Sequence, residues 1–236
     1  MENEQAVDAV ALYNTGNEAG MLNNFVEAFA YFHKAAELGY APAQCNLGFC
    51  YEKGHGALQD YAKAVEYYNM AAEQQYAPAQ CNLGWCYESG NGITLDINKA
   101  IECYTASANQ GYAPAQGNLG FCYKHGNSVP RDFAVAFSWF NKAALQENVF
   151  SQYNLGECYE FGMGTDQDLT KAAEWYQKSA GHGYAPAQYR LGHCYEHGIG
   201  VPKDLPAACE WYNYAAAQDH LTAKHNLDII KSQGLV

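Results

Sequence analysis

The stretch Ala41-Pro42-Ala43-Gln44-Cys45-Asn46-Leu47-Gly48 decides the architecture, because the chain repeats it. It returns as Ala77 to Gly84 and Ala113 to Gly120, then more loosely as Val149 to Gly156 and Ala185 to Gly192. Leu47, Leu83, Leu119, Leu155 and Leu191 stand 36 residues apart, and so do the glycines that follow them. Self-similarity at such a period predicts a solenoid, in which no unit buries its apolar face alone and each covers the next. A repeat array supplies surfaces and carries no chemistry of its own.

Outward from that stretch, each repeat reads as two helices. Pro42 suits the first turn of a helix, where its missing N–H costs nothing. Gly54 and Gly56 stop that helix, as Gly90/Gly92, Gly162/Gly164 and Gly198/Gly200 do later. Asp60 is placed to cap a second helix, with Asp96, Asp132, Asp168 and Asp204 equivalent. Ala64, Tyr68, Ala71 and Ala72 then mark its buried face at i, i+4, i+7, i+8. Residues 1–40 are expected to form a degenerate N-terminal capping repeat whose first helix is weakened by Gly16 and Gly20. Residues 41–220 give five repeats (41–76, 77–112, 113–148, 149–184, 185–220), and residues 221–236 a capping C-terminal helix whose Lys224 and Lys231 face outward.

The composition agrees with a stacked core: 49% hydrophobic and 14% aromatic residues, with 20 tyrosines. Thirteen Lys+Arg against 25 Asp+Glu give a net charge of −12, which argues against nucleic acid or an anionic membrane as partner. A neutral to basic protein or peptide is the expected partner. Met1-Glu2-Asn3-Glu4-Gln5 has no signal-peptide character, and no run reaches the roughly 18 apolar residues of a membrane helix. The nine cysteines include Cys50, Cys86, Cys122, Cys158 and Cys194, one per repeat. They read as small buried hydrophobes in a reducing, cytoplasmic setting.

The recurring first helix A-x-A-Q-x-N-L-G-x-C-Y-E-x-G-x-G, followed by D-x-x-K-A-x-E-W-Y and A-A-x-x-G-Y, resembles the Sel-like repeat, a relative of the tetratricopeptide repeat. Leu191-Gly192, Tyr195, Gly198, Gly200-Val201, Asp204 and Trp211-Tyr212 match that pattern, as do Leu155-Gly156, Asp168, Lys171-Ala172 and Trp175-Tyr176. The resemblance implies an all-α, right-handed α/α superhelical solenoid acting as a protein-interaction scaffold or adaptor. Secreted, cysteine-rich relatives pair cysteines across the helix turn; here Leu58 stands where the partner of Cys50 would be, and the other repeats agree.

On the first helix of 41–76, Ala43, Leu47, Cys50 and Tyr51 form one stripe, the core, and Pro42, Cys45, Asn46, Phe49, Glu52 and Lys53 another. Similarity to tetratricopeptide arrays places the second stripe on a concave groove. The candidate partner-binding residues are therefore Asn46, Phe49, Glu52, Asn82, Trp85, Glu88, Asn118, Phe121, Asn154, Glu157, Arg190 and His193. An asparagine ladder offers donors and acceptors to a peptide backbone, or else bonds neighbouring helices. Exposed Phe49, Trp85 and Phe121 are costly unless covered.

No catalytic residues, cofactor or metal are expected. No serine has lysine three residues on, and there is no G-x-x-x-x-G-K or C-x-x-C. His193, Cys194 and His197 lack a remote fourth ligand for zinc. Alternatives to an adaptor are a secreted effector that binds host proteins, a hydrolase of the cysteine-rich Sel-like type, or self-assembly. A monomer or weak self-association is the expectation.

Overall fold

A computed structural model of the protein describes residues 2–232, with side chains from residue 8 onward. Among the described residues the secondary structure is entirely helical: α1 (Glu2–Met21), α2 (Phe25–Glu37), α3 (Ala41–Lys53), α4 (Tyr61–Glu73), α5 (Ala77–Ser89), α6 (Ile97–Asn109), α7 (Ala113–His125), α8 (Phe133–Ala144), α9 (Val149–Phe161), α10 (Leu169–Gly181), α11 (Ala185–His197), α12 (Leu205–Ala216) and α13 (Leu221–Ser232). The chain divides into two compact units, one ending at Ala115 and the other starting at Gln116. In the first, α1 packs on α2, α3 on α4 and α5 on α6, and α2 and α4 bridge to the next hairpin. In the second, α8 packs on α9, α9 on α10, α10 on α11, α11 on α12 and α12 on α13.

The local chemistry sets each hairpin. At the end of α3, Gly54 adopts the left-handed conformation (φ 72°) and its N–H bonds the Cys50 carbonyl, closing the last turn. The Asp60 N–H then reaches back to the Tyr51 carbonyl at 2.9 Å, and Asp96, Asp132, Asp168 and Asp204 do the same to Tyr87, Tyr123, Tyr159 and Tyr195. Each of these aspartates also accepts from a backbone N–H in the first turn of the following helix; for Asp60 the donor is Lys63 at 3.0 Å. One residue thus ends the loop and starts the second helix.

The paired Leu-Gly of the repeat divides two tasks. Leu47, Leu119, Leu155 and Leu191 are buried in the stack. The glycine lets a ring from the second helix approach: a Cβ on Gly48 would sit 2.8 Å from Tyr68 Cδ1 and 3.1 Å from the Ala64 carbonyl. Gly84, Gly156 and Gly192 meet Tyr104, Tyr176 and Tyr212 likewise, and Gly120 meets Phe140. These five rings are fully buried, and each contributes about 1.5–3 kcal/mol by leaving water. Alanines 64, 71 and 79 pack around Tyr68 with Cys45 and Cys86.

Two details differ from the sequence reading. α1 runs unbroken through Gly16 and Gly20, and Gly16 faces the Phe32 ring, where a Cβ would lie 2.7 Å away. Cys45, expected on the open stripe, is instead buried, because Ala79 and Leu83 of the next hairpin pack with it. Burial pushes its thiol up to about 12. No helix among the described residues is long and apolar enough to cross a membrane.

Candidate partner-binding face

On the first helices of the N-terminal unit, two rings stand in solvent. Phe49 on α3 is 43% exposed and Trp85 on α5 is 37% exposed. The Lys53 ammonium lies between them, 5.6 Å from the Phe49 centroid and 5.9 Å from that of Trp85. It is held by Glu52 Oε1 at 2.6 Å, a bond that raises the Lys53 pKa and keeps the cation charged. Phe49 also borders an open apolar pocket of about 390 Å³ with Asn17, Met21, Phe25, Asn46 and His55. His55 stacks on Phe25 with centroids 4.3 Å apart, so the pocket has an aromatic floor.

The asparagines of the proposed ladder do not share one environment. Asn46 donates to Asn17 Oδ1 at 3.1 Å, and Asn82 to Cys45 Sγ at 3.6 Å. Asn118 is half-buried on α7. Asn154 is only 2% exposed: its Nδ2 donates to the Phe150 carbonyl at 2.9 Å, and its Oδ1 accepts from Lys124 Nζ at 3.0 Å. Its amide is committed to the fold.

The glutamates likewise turn inward. Glu52, 6% exposed, accepts from the Tyr68 hydroxyl at 2.8 Å, and Glu88 from Tyr104 at 2.7 Å. Glu160 with Tyr176 and Glu196 with Tyr212 repeat the pair. Burial first, and then the facing carboxylate, push the Tyr68 and Tyr176 hydroxyls far above their ordinary range, so both remain donors. The repeat 113–148 departs at both positions together, with Lys124 for the glutamate and Phe140 for the tyrosine. Phe140 has no hydroxyl to satisfy, and Lys124 is free to reach the next repeat.

It does so through the polar centre of the C-terminal unit. Lys124 Nζ contacts Glu157 Oε2 at 2.6 Å, while Tyr153 donates to Glu157 Oε1 at 2.9 Å. Arg190 approaches Glu157 at 3.5 Å and Glu160 at 3.7 Å. Three first helices, α7, α9 and α11, are tied side by side by these charges. Phe121 is half-buried against His125 and Phe150, with centroids at 4.2 and 6.0 Å. His193 lies against His197 at 4.4 Å; burial first, then the His197 and Arg190 charges, lower its pKa and favour the neutral ring. Cys194 beside it is a buried core thiol pushed up to about 12 by burial.

Sequence reading missed the Tyr–Glu pairs and this charge row. The signal was present: Glu52, Glu88, Glu160 and Glu196 each precede a tyrosine by 16 residues, and both members change in one repeat.

Comparison with known proteins agrees with the helical-repeat fold. The Sel1 repeat pattern matches residues 9–40, 41–76, 77–112, 113–148, 149–184 and 185–220. A Sel1 repeat protein from Oxalobacter formigenes is 30% identical with a TM-score of 0.84, covering 94% of this chain and 89% of that one. A protective antigen of uropathogenic Escherichia coli displaying an SLR fold is 35% identical with a TM-score of 0.82, covering 99% of this chain. DAP3-binding cell death enhancer 1 of Rattus norvegicus is 44% identical over 48 residues, which is 20% of this chain. The chain spans 51% of the antigen and 9% of the rat protein.

Proposed function

The chain belongs to the Sel1 repeat family, whose repeats are generally protein-interaction modules and typically non-enzymatic, and we propose that it is a scaffold holding a segment of a partner protein on the first-helix face of its N-terminal unit. The observation that carries this reading is the pair of exposed rings, Phe49 and Trp85, beside the open apolar pocket. Large aromatics left in solvent on one face are characteristic anchors, since covering them returns the apolar energy they forfeit. Asn46 at the pocket wall supplies a polar contact at its edge.

The partner is neutral to basic with a bulky apolar anchor. Residues 1–115 hold 13 acidic side chains and four lysines, so most of the net charge of −12 falls in this unit. Those lysines are occupied locally: Lys34, Lys63 and Lys99 lie over Tyr31, Tyr51 and Tyr87, and Lys53 over Phe49 and Trp85. In the C-terminal unit Glu157, Arg190, Asn154 and Lys124 bond one another, so Asn118, Phe121 and His193 are secondary contacts there. The repeat cysteines Cys50, Cys86, Cys158 and Cys194 are buried as small core hydrophobes, which suits a reducing, cytoplasmic setting.

Affinity capture from cell extract with the wild-type chain and with a Phe49→Ala/Trp85→Ala bait tests the reading. Each ring is more than half covered, so the double variant should melt lower than the wild type but stay folded, and it should lose the partners recovered. Equal recovery by a folded double variant refutes it.

A further inference from the structure

In four repeats a glutamine in the first turn of the first helix links that helix to the end of the second. Gln44 Oε1 accepts from Gln74 Nε2 at 2.7 Å, and Gln80 from Gln110 at 2.7 Å. Gln116 accepts from Gln146 and Gln188 from Gln218, both at 2.9 Å. Each donor stands 30 residues after its acceptor. The remaining repeat breaks the series: opposite Gln152 the chain has His182. Gln152 is 3% exposed, its Nε2 reaches the Ala144 carbonyl at 3.5 Å, and its Oε1 has no partner. Such an acceptor costs about 1–3 kcal/mol while unmet.

Beside Gln152 opens a cleft of about 320 Å³, bounded by Ala144, Leu145, Glu147, Trp175, Lys178 and His182. The Lys178 ammonium sits 3.9 Å over the Trp175 ring. A counterpart cleft of about 290 Å³ lies in the N-terminal unit, lined by Leu83, Cys103 and Ala106. There Gln110 already satisfies Gln80.

We propose that the cleft at Gln152 binds a primary carboxamide, the side chain of a glutamine carried by a partner protein. The amide NH₂ gives Gln152 Oε1 its donor, and the amide oxygen accepts from Lys178 at the rim. A carboxylate would attract Lys178 but bring no donor to Oε1. An ammonium brings a donor but is repelled by Lys178, and Glu147, the one acid on the rim, is exposed to solvent and offsets little of that. The chain's own glutamines do the same at four equivalent positions, so the space and direction suit this group. The site is separate from the Phe49–Trp85 face, and either proposal can fail alone.

Proton–nitrogen NMR reads the test, following the Gln152 side-chain amide and the Trp175 indole N–H. Propionamide and N-acetylglutamine N-methylamide should each shift both signals saturably. Propionate and propylammonium, of similar size, should bind about ten-fold or more weakly. His182→Gln, which restores the amide found in the other hairpins, should abolish the response and raise the melting temperature. The proposal is overturned if neither amide gives a saturable shift, or if His182→Gln responds like the wild type. It is equally overturned if the head groups bind alike, or if only propionamide binds, which would exclude a glutamine side chain. A His182 ring N–H, or an ordered water alone, found satisfying Oε1 in the amide-bound state would also sink it.

Discussion

Tyr68→Phe deletes one oxygen from the centre of the N-terminal unit, and its cost follows from the surroundings. The hydroxyl is buried and donates to Glu52 Oε2 at 2.8 Å, and Glu52 itself is buried beside it. Hydrogen bonds to a charged group contribute about 1.5–3 kcal/mol, and an acceptor left without its donor keeps its desolvation penalty. Lys53 still holds the other carboxylate oxygen at 2.6 Å, so the expectation lies near the middle of that range, at about 2 kcal/mol. For a chain of 236 residues this lowers the melting temperature by about 4–8 °C. The stronger test is the double variant. Converting Glu52 to Leu alone orphans the tyrosine hydroxyl; joined to Tyr68→Phe it removes both polar partners, and part of the loss should return. The repeat at 113–148 already tolerates Phe140 with no glutamate opposite. Circular dichroism melts of the two single variants and the double variant measure the coupling. Strictly additive losses, or a Tyr68→Phe shift below about 1 °C, refute the claim that the pair acts as a unit.

Lys124→Met should cost about 2 kcal/mol in denaturant titration, below the roughly 3–5 kcal/mol of a fully buried pair, because Lys124 and Glu157 are only partly buried and Arg190 still faces Glu157. Lys53→Met, which breaks an ion pair on a nearly half-exposed lysine, should cost about 1 kcal/mol or less, and equal effects would contradict the burial argument. Alkaline pH should destabilise the fold: Cys45, Cys86, Cys158 and Cys194 are pushed by burial from 9.0 to about 12, so between those values the unfolded chain gives up protons the folded chain keeps. That contribution is intact below pH 9 and is lost as pH rises toward 12, at up to about 1.4 kcal/mol per pH unit for each thiol. Melts in reductant at pH 8 and pH 10.5 check the sign, and an unchanged midpoint would refute it.

What the sequence determined by itself is whatever depends on neighbours within a few residues. Pro42, Gly54 and Asp60 act on backbone groups within one or two turns, so helices, loops and caps are legible wherever those residues recur. The core stripe of Ala43, Leu47 and Cys50 is legible for the same reason: a helix repeats its faces by geometry alone. The other stripe was not, because its fate depends on what packs over it. Asn46, Asn82 and Asn154 occupy the same repeat position, yet one meets Asn17, one a cysteine, and one is sealed between Phe150 and Lys124. Glu52 and Phe49 sit on one helical face, but Tyr68 draws the first inward while the second stays 43% exposed beside Lys53. Those outcomes rest on contacts made across 16 to 37 residues, where the side chain of the next helix chooses the partner and only the packed structure records the choice.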